Sequence, residues 1–199
     1  MSIEKTATRK YNMKRRAENQ AETRQRIVEA AFDLHGILGP SRTTISKVAE
    51  RAGVQRQTLY AHFPDERSLF LACSAHHLTI DTPPDPASWS DVVQLKDRLE
   101  RALGEIYSWY ERNAHVTGAV LRDAEIDDTL REVVQMRLAP IFEAWSASLS
   151  DGTKDPQATA LLTLALSFYT WRTMALDAGL DSAAAAKVMA SAVINAGCT

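Results

Sequence analysis

Between Gly53 and Pro64 the chain reads Val-Gln-Arg-Gln-Thr-Leu-Tyr-Ala-His-Phe. Two amides, a guanidinium, two hydroxyls and an imidazole share one short helical stretch. An amide donates and accepts at once, so Gln55 and Gln57 suit the edge of adenine, while Arg56 reads guanine or clamps phosphate. Thr58, Tyr60 and His62 donate to phosphates, which fixes register without reading sequence. Thr43 and Thr44, just upstream, add two more hydroxyls to this set. The plainer account of the glutamines is a solvated face, and of Tyr60 and His62 a half-buried aromatic and a surface imidazole. Leu59 and Phe63, four residues apart, would anchor the helix to a core.

Other chemistry-bearing residues are sparser. Cys73 and His77 lie one helical turn apart with His76 adjoining, a spacing that suits a metal. No further Cys or His cluster completes such a site, so no metal and no cofactor are expected. There is no GxSxG, no phosphate-binding glycine loop and no paired-carboxylate pattern, and the chain is not expected to be an enzyme. Aromatic residues concentrate beyond residue 71, where all four tryptophans lie. Most must serve ordinary packing, yet ligand cavities are lined by such groups with a few polar ones. The candidates are Tyr107, Trp109, Tyr110, Trp145, Phe168 and Trp171, with His115, Arg137 and Arg172 as polar partners.

These residues need helices to position them. Ile27, Ala30, Ala31 and Leu34 recur at helical spacing before Gly36, Gly39 and Pro40 end the pattern. A short helix follows over "ISKVAERAG", with Thr43 or Thr44 as its cap and Gly53 in the left-handed position past its end. The stretch from Gln55 to His62 is the third helix. Pro64 stops it, and Asp65 caps a fourth. After the turn-rich "DTPPDPASWS", helical patterns cover 90–113, 115–123, 128–149 (with Pro140 inside) and 157–178. A last one follows Gly179, capped by Asp181 or Ser182. The expected fold is all-α, about nine helices. The expected division is a basic, flexible arm over 1–20, a helix-turn-helix unit over 21–70 and a larger helical unit over 71–199.

Two short helices joined by Ala52-Gly53-Val54 have the shape of a helix-turn-helix, whose second helix enters the major groove of DNA. At these residues the sequence resembles the TetR family of transcriptional regulators. The pattern is Thr44-Ile45, Val48-Ala49, Ala52-Gly53-Val54, Thr58-Leu59-Tyr60, His62-Phe63-Pro64 and Leu69, within about 27–71. The resemblance implies a homodimer formed through the last two helices, a pseudo-palindromic double-stranded DNA operator and a cavity for a small, largely hydrophobic inducer that releases a repressor. "SAAAAKVMASAV" and the bulkier Leu161, Leu162, Ala165 and Phe168 would form that interface; internal packing of the Ala run is the alternative. Three positions depart from the family pattern. Gln55 replaces a better-capping Ser, and Gln57 replaces a small residue and becomes the foremost specificity candidate. Glu66 stands where a phosphate-touching Lys is common. An architectural, chromosome-associated DNA-binding protein on the same fold, without an inducer, is the rival reading.

Bulk properties agree. The 199 residues are 45% hydrophobic and 24% charged. Residues 1–70 hold 13 Lys and Arg against 8 Asp and Glu, while the rest of the chain is acidic, so the basic segment is the natural partner of a polyanion. Lys5, Arg9, Lys10, Lys14, Arg15 and Arg16 dominate the arm; a disordered tail is the plainer account of it. No apolar run reaches the ~20 residues that cross a bilayer. No secretory signal opens the sequence, and Cys73 and Cys198 lie far apart. No membrane partner and a cytoplasmic location are expected.

Overall fold

The computed structural model describes residues 3–150 and 155–196, with side chains from Met13 onward; Cys198 and the side chains of Lys5, Arg9 and Lys10 lie outside the described residues. Every regular element described is helical, as expected. The order is α1 (Ile3–Leu38), α2 (Ile45–Ala52), α3 (Arg56–His62), α4 (Glu66–Ile80), α5 (Leu95–Ala124), α6 (Asp128–Leu149), α7 (Pro156–Ala165), α8 (Phe168–Arg172) and α9 (Ser182–Ala196). Tight 3-10 turns, Pro40–Arg42 and Pro86–Trp89, precede α2 and α5.

The head of the molecule is α1–α3 with the start of α4. Its core joins Ile27, Ala31, Val48, Leu59, Phe63 and Leu69. Local chemistry fixes the boundaries. The Thr44 hydroxyl accepts from Lys47 N and starts α2, and Gly53 ends it at φ 65°, where a Cβ would be strained. Asp65 accepts from Ser68 N at 2.7 Å and starts α4. The body is built on α5, packed against α6, α8 and α9. Ala185, Ala186 and Ala190 of α9 are buried there, small enough to let the two helices approach closely. The buried Tyr107 and Tyr110 hydroxyls donate to Ala165 O and Leu166 O at 2.8 and 2.6 Å, so neither phenol is stranded. α4 serves both units: Leu69 and Cys73 join the head core, whereas Phe70 packs with Ala124, Leu130 and Val133.

Three segments differ from the sequence reading. The stretch read as a flexible arm is helical from Ile3, because no Gly or Pro interrupts strong helix formers before Gly36. The patterns at 90–113 and 115–123 are one helix, α5. Asn113 was the apparent break, but it is buried, and its amide donates to Asp81 Oδ2 and Trp109 O. The expected helix over 157–178 is divided at Ser167, whose hydroxyl accepts from Tyr169 N and starts α8; α8 runs into a π-helical turn, Thr173–Asp177. Pro140 sits inside α6 without ending it. Asp181, of the two candidate caps for α9, accepts from Ala184 N.

Candidate nucleic-acid interface and ligand cavity

α3 buries Leu59 and Phe63 and turns Gln55, Arg56, Gln57 and Tyr60 outward, with Thr58 and His62 half-buried at its edges. Gln55 occupies the N-cap but makes no capping hydrogen bond, so its amide stays available to a ligand. Tyr60 is 46% exposed, too open for a core aromatic. Arg24 of α1 lies 4.8 Å over the Phe63 ring and pins the buried edge. The two upstream threonines are already engaged: Thr44 in its cap, and Thr43 Oγ1 donating to Gly39 O at 2.8 Å. A shallow groove separates α3 from α1, with Arg16, Asn19 and Gln20 facing Gln57, Thr58 and His62. This face offers donors and acceptors of the kind that base edges and phosphates need. It offers no reactive constellation.

Residues of α1, α4, α5, α6, α7 and α8 line a partly open cavity of about 470 Å³. Five of the residues named from sequence line it: Trp109, Tyr110, Arg137, Trp145 and Phe168. Four do not. Tyr107 is committed to the α5–α7 packing by its bond to Ala165. Trp171 Nε1 donates to Ser182 Oγ at 3.0 Å, and Ser182 in turn donates to Glu111. His115 and Arg172 are exposed and face a separate cleft beside Arg42 and Arg122.

Sequence reasoning missed the walls that α1 and α4 contribute, chiefly Phe32, His35, Phe70, Ser74 and His77. Their one local signal is weak: His35 follows Ala31 by four residues on the buried side of α1. Burial pushes the His35 imidazole down to about 4, against the pull of Asp123, so it is neutral at neutral pH. His77 Nε2 donates to Asn113 Oδ1 at 2.7 Å and its ring stacks on Trp109. Asn113 reaches Asp81, whose carboxylate Arg112 grips through two bonds of 3.0 Å. Those hydrogen bonds, led by Arg112, hold Asp81 below the usual carboxylate range. The network buttresses one cavity wall from outside. The Cys73, His76 and His77 set is dispersed. Burial pushes the Cys73 thiol up to about 12, and His76 meets the edge of Phe32. Among the described residues no group of three His, Cys, Asp or Glu side chains is placed to hold a metal.

Head and body meet at the turn after α1. Ser41 N donates to Asp123 Oδ2 at 2.9 Å, and Arg122 closes on the other oxygen at 2.8 Å. Burial works to raise the Asp123 carboxyl, but Ser41 and Arg122 outweigh it and leave it below the ordinary value. Gly39, at φ 87°, brings the backbone close enough for this contact.

The molecule is thus an exposed helix-turn-helix on a larger, cavity-bearing helical body. Residues 27–73 match the family of bacterial regulatory proteins described as the tetR family. The transcriptional regulator SrpR of Pseudomonas putida is 38% identical over 78 residues, 36% of this chain and 37% of that protein. The regulator TtgR, also of Pseudomonas putida, is 27% identical over 135 residues, 66% and 64% of the two chains. The chain thus spans between a third and two thirds of the length of these curated relatives. A TetR-like regulator from Rhodococcus sp. RHA1 has the same fold, with TM-score 0.64 at 20% identity over 88% of this chain and 96% of that one. Residues 27–73 are thus similar to the DNA-binding segment of the tetR family, and the chain as a whole shares the fold of TetR-like structures. These relatives are regulators, not enzymes. No described helix is long and apolar enough to cross a membrane.

Proposed function

We propose that this chain is a homodimeric repressor that binds a pseudo-palindromic operator through α3 and leaves it when a small, largely hydrophobic inducer fills the cavity. The cavity carries this reading. About 470 Å³ of partly open, apolar-walled space lies between the head and the body, within the size range of small-molecule sites. A purely architectural protein has no use for such a void, whose unfilled walls forgo packing. Gln57 and Tyr60 then read and grip the duplex, Gln57 at a base edge and Tyr60 at phosphate.

The dimer reading draws support from exposed apolar groups gathered near the end of the chain. Leu164, Tyr169, Leu176, Leu180 and Val188 are all open to solvent in the single chain. Leu162, Ala165 and Phe168, read from sequence as interface residues, are instead buried within the protomer. A two-fold pair of heads would meet half-sites one helical turn of DNA, or a multiple, apart.

The test couples two titrations. Trp109 and Trp145 line the cavity, so a true inducer should change their emission saturably while releasing operator DNA over the same concentration range. Saturating operator must in turn weaken the inducer by the same factor, typically ~1–3 kcal/mol. Operator binding that no cavity ligand alters would favour the architectural reading.

A further inference from the structure

Among the described residues the cavity walls hold one Lys or Arg and no Asp or Glu. Of the two lining imidazoles, His35 is kept neutral by burial and His77 donates to Asn113. The one Lys or Arg is Arg137, from the middle of α6. Its guanidinium is half-buried, and it is held by neutral acceptors alone: Nε donates to Ser74 Oγ and Nη2 to Leu71 O, each at 3.1 Å. No described carboxylate pairs with it, in contrast to Arg51, Arg101, Arg112, Arg122 and Arg131, each of which has an acidic partner. The two bonds to α4 fix the planar group in place and leave its Nη1 end without a partner among the described residues.

A half-buried guanidinium with no counter-ion beside it, on an otherwise apolar wall, attracts an anion that reaches it. The same walls penalise a cation, since no carboxylate is present to receive it. Guanidinium geometry matches a carboxylate through two parallel N–H···O bonds, and the apolar remainder of the cavity accepts hydrocarbon or an aromatic ring.

We infer that the inducer is an apolar molecule bearing one anionic group, a carboxylate, which Arg137 receives. This rests on the reading of the cavity as a ligand site, and it narrows that reading to one chemical class. Arg137 is then the residue that sets specificity. The apolar walls supply affinity without discriminating among head groups.

The test uses three probes of one chain length and different heads: decanoate, 1-decanol and decylammonium. Each is titrated into the full-length protein at pH 7.5, where a carboxylic acid is ionised, and followed by tryptophan emission. Decanoate should bind at least about tenfold more tightly than decanol, the margin expected of a charge-assisted hydrogen bond, and decylammonium most weakly. Arg137→Gln should bring decanoate down to the level of decanol and leave decanol unchanged. Arg137→Lys retains the charge and should keep most of the preference. If Arg137→Gln does not fold, the wild-type series and the Lys variant still decide. Decanol or decylammonium binding as well as decanoate to the wild type overturns the inference while leaving the cavity a ligand site. Silence from all three probes removes the ligand-site reading, and this inference with it.

Discussion

Replacing Gly39 with Ala should strike the junction between head and body. The residue sits at φ 87° and ψ 153°, a region that side chains other than hydrogen essentially do not adopt. Forcing Ala into it costs ~1–3 kcal/mol in backbone strain alone. A Cβ built there falls 2.7 Å from both Arg122 Nη2 and Asp123 Oδ2. Arg122 is exposed at its tip and can swing away. Asp123 is buried and holds Ser41 N, so it yields only by breaking that bond, a further ~1.5–3 kcal/mol for a charged acceptor. The expected loss is therefore about 2.5–6 kcal/mol, a large share of a typical domain's stability. Gly104 supplies the control. It lies inside α5 with nothing within 4 Å of its added Cβ, so Gly104→Ala should stabilise by up to about 1 kcal/mol. Urea unfolding followed by tryptophan emission, at one fixed protein concentration, measures both. A Gly39→Ala loss below about 1 kcal/mol, no larger than an ordinary surface change, would refute the strain-and-clash argument.

Acidification should weaken the fold through His35. Its folded value near 4 lies below the ordinary 6.5, so its contribution is complete above 6.5 and is lost as pH falls from 6.5 to 4. The loss is at most about 3 kcal/mol, and His35→Leu should flatten the stability profile across that window. Gln57→Ala should relax preference at one operator position by ~1–3 kcal/mol, read by binding to a panel of singly substituted operators. Tyr60→Phe should instead weaken every sequence alike, and equal loss across the panel for Gln57→Ala would reassign that residue to phosphate. Removing residues 1–16 deletes a basic cluster and should lower the slope of log affinity against log salt; an unchanged slope would leave that segment off the DNA.

The head was legible in the sequence because its determinants are local. Thr44, Gly53 and Asp65 act on backbone within three residues of themselves, and Leu59 and Phe63 repeat at a helical interval. The division of α7 from α8 was not legible, since Ser167 ends a helix there without the Gly or Pro that usually marks such a point. The boundary drawn after Asn113 was wrong in the opposite sense: α5 runs through it, and Asp81, thirty-two positions away, satisfies the buried amide. The cavity shows the same limit. Its α5 and α6 aromatics could be guessed from their helices, but Phe32, His35 and His77 become cavity walls only when α1 and α4 dock on the body. Tyr107 and Trp171 were equally good candidates by type, and their hydrogen bonds to Ala165 and Ser182 take them elsewhere.

α1 has a mechanical consequence. One unbroken helix carries Phe32 and His35 at the cavity and Arg16, Asn19 and Gln20 alongside α3. From His35 to Arg16 the rise is ~28 Å at 1.5 Å per residue. A helix of that length would act as a lever if it tilted near the cavity. A tilt of roughly 5° at His35 sweeps the Arg16 end through ~2.5 Å, close to a full hydrogen-bond length. If the proposed function holds, a displacement too small to disturb packing at the pivot is enough, at the far end, to shift a head out of register with the groove.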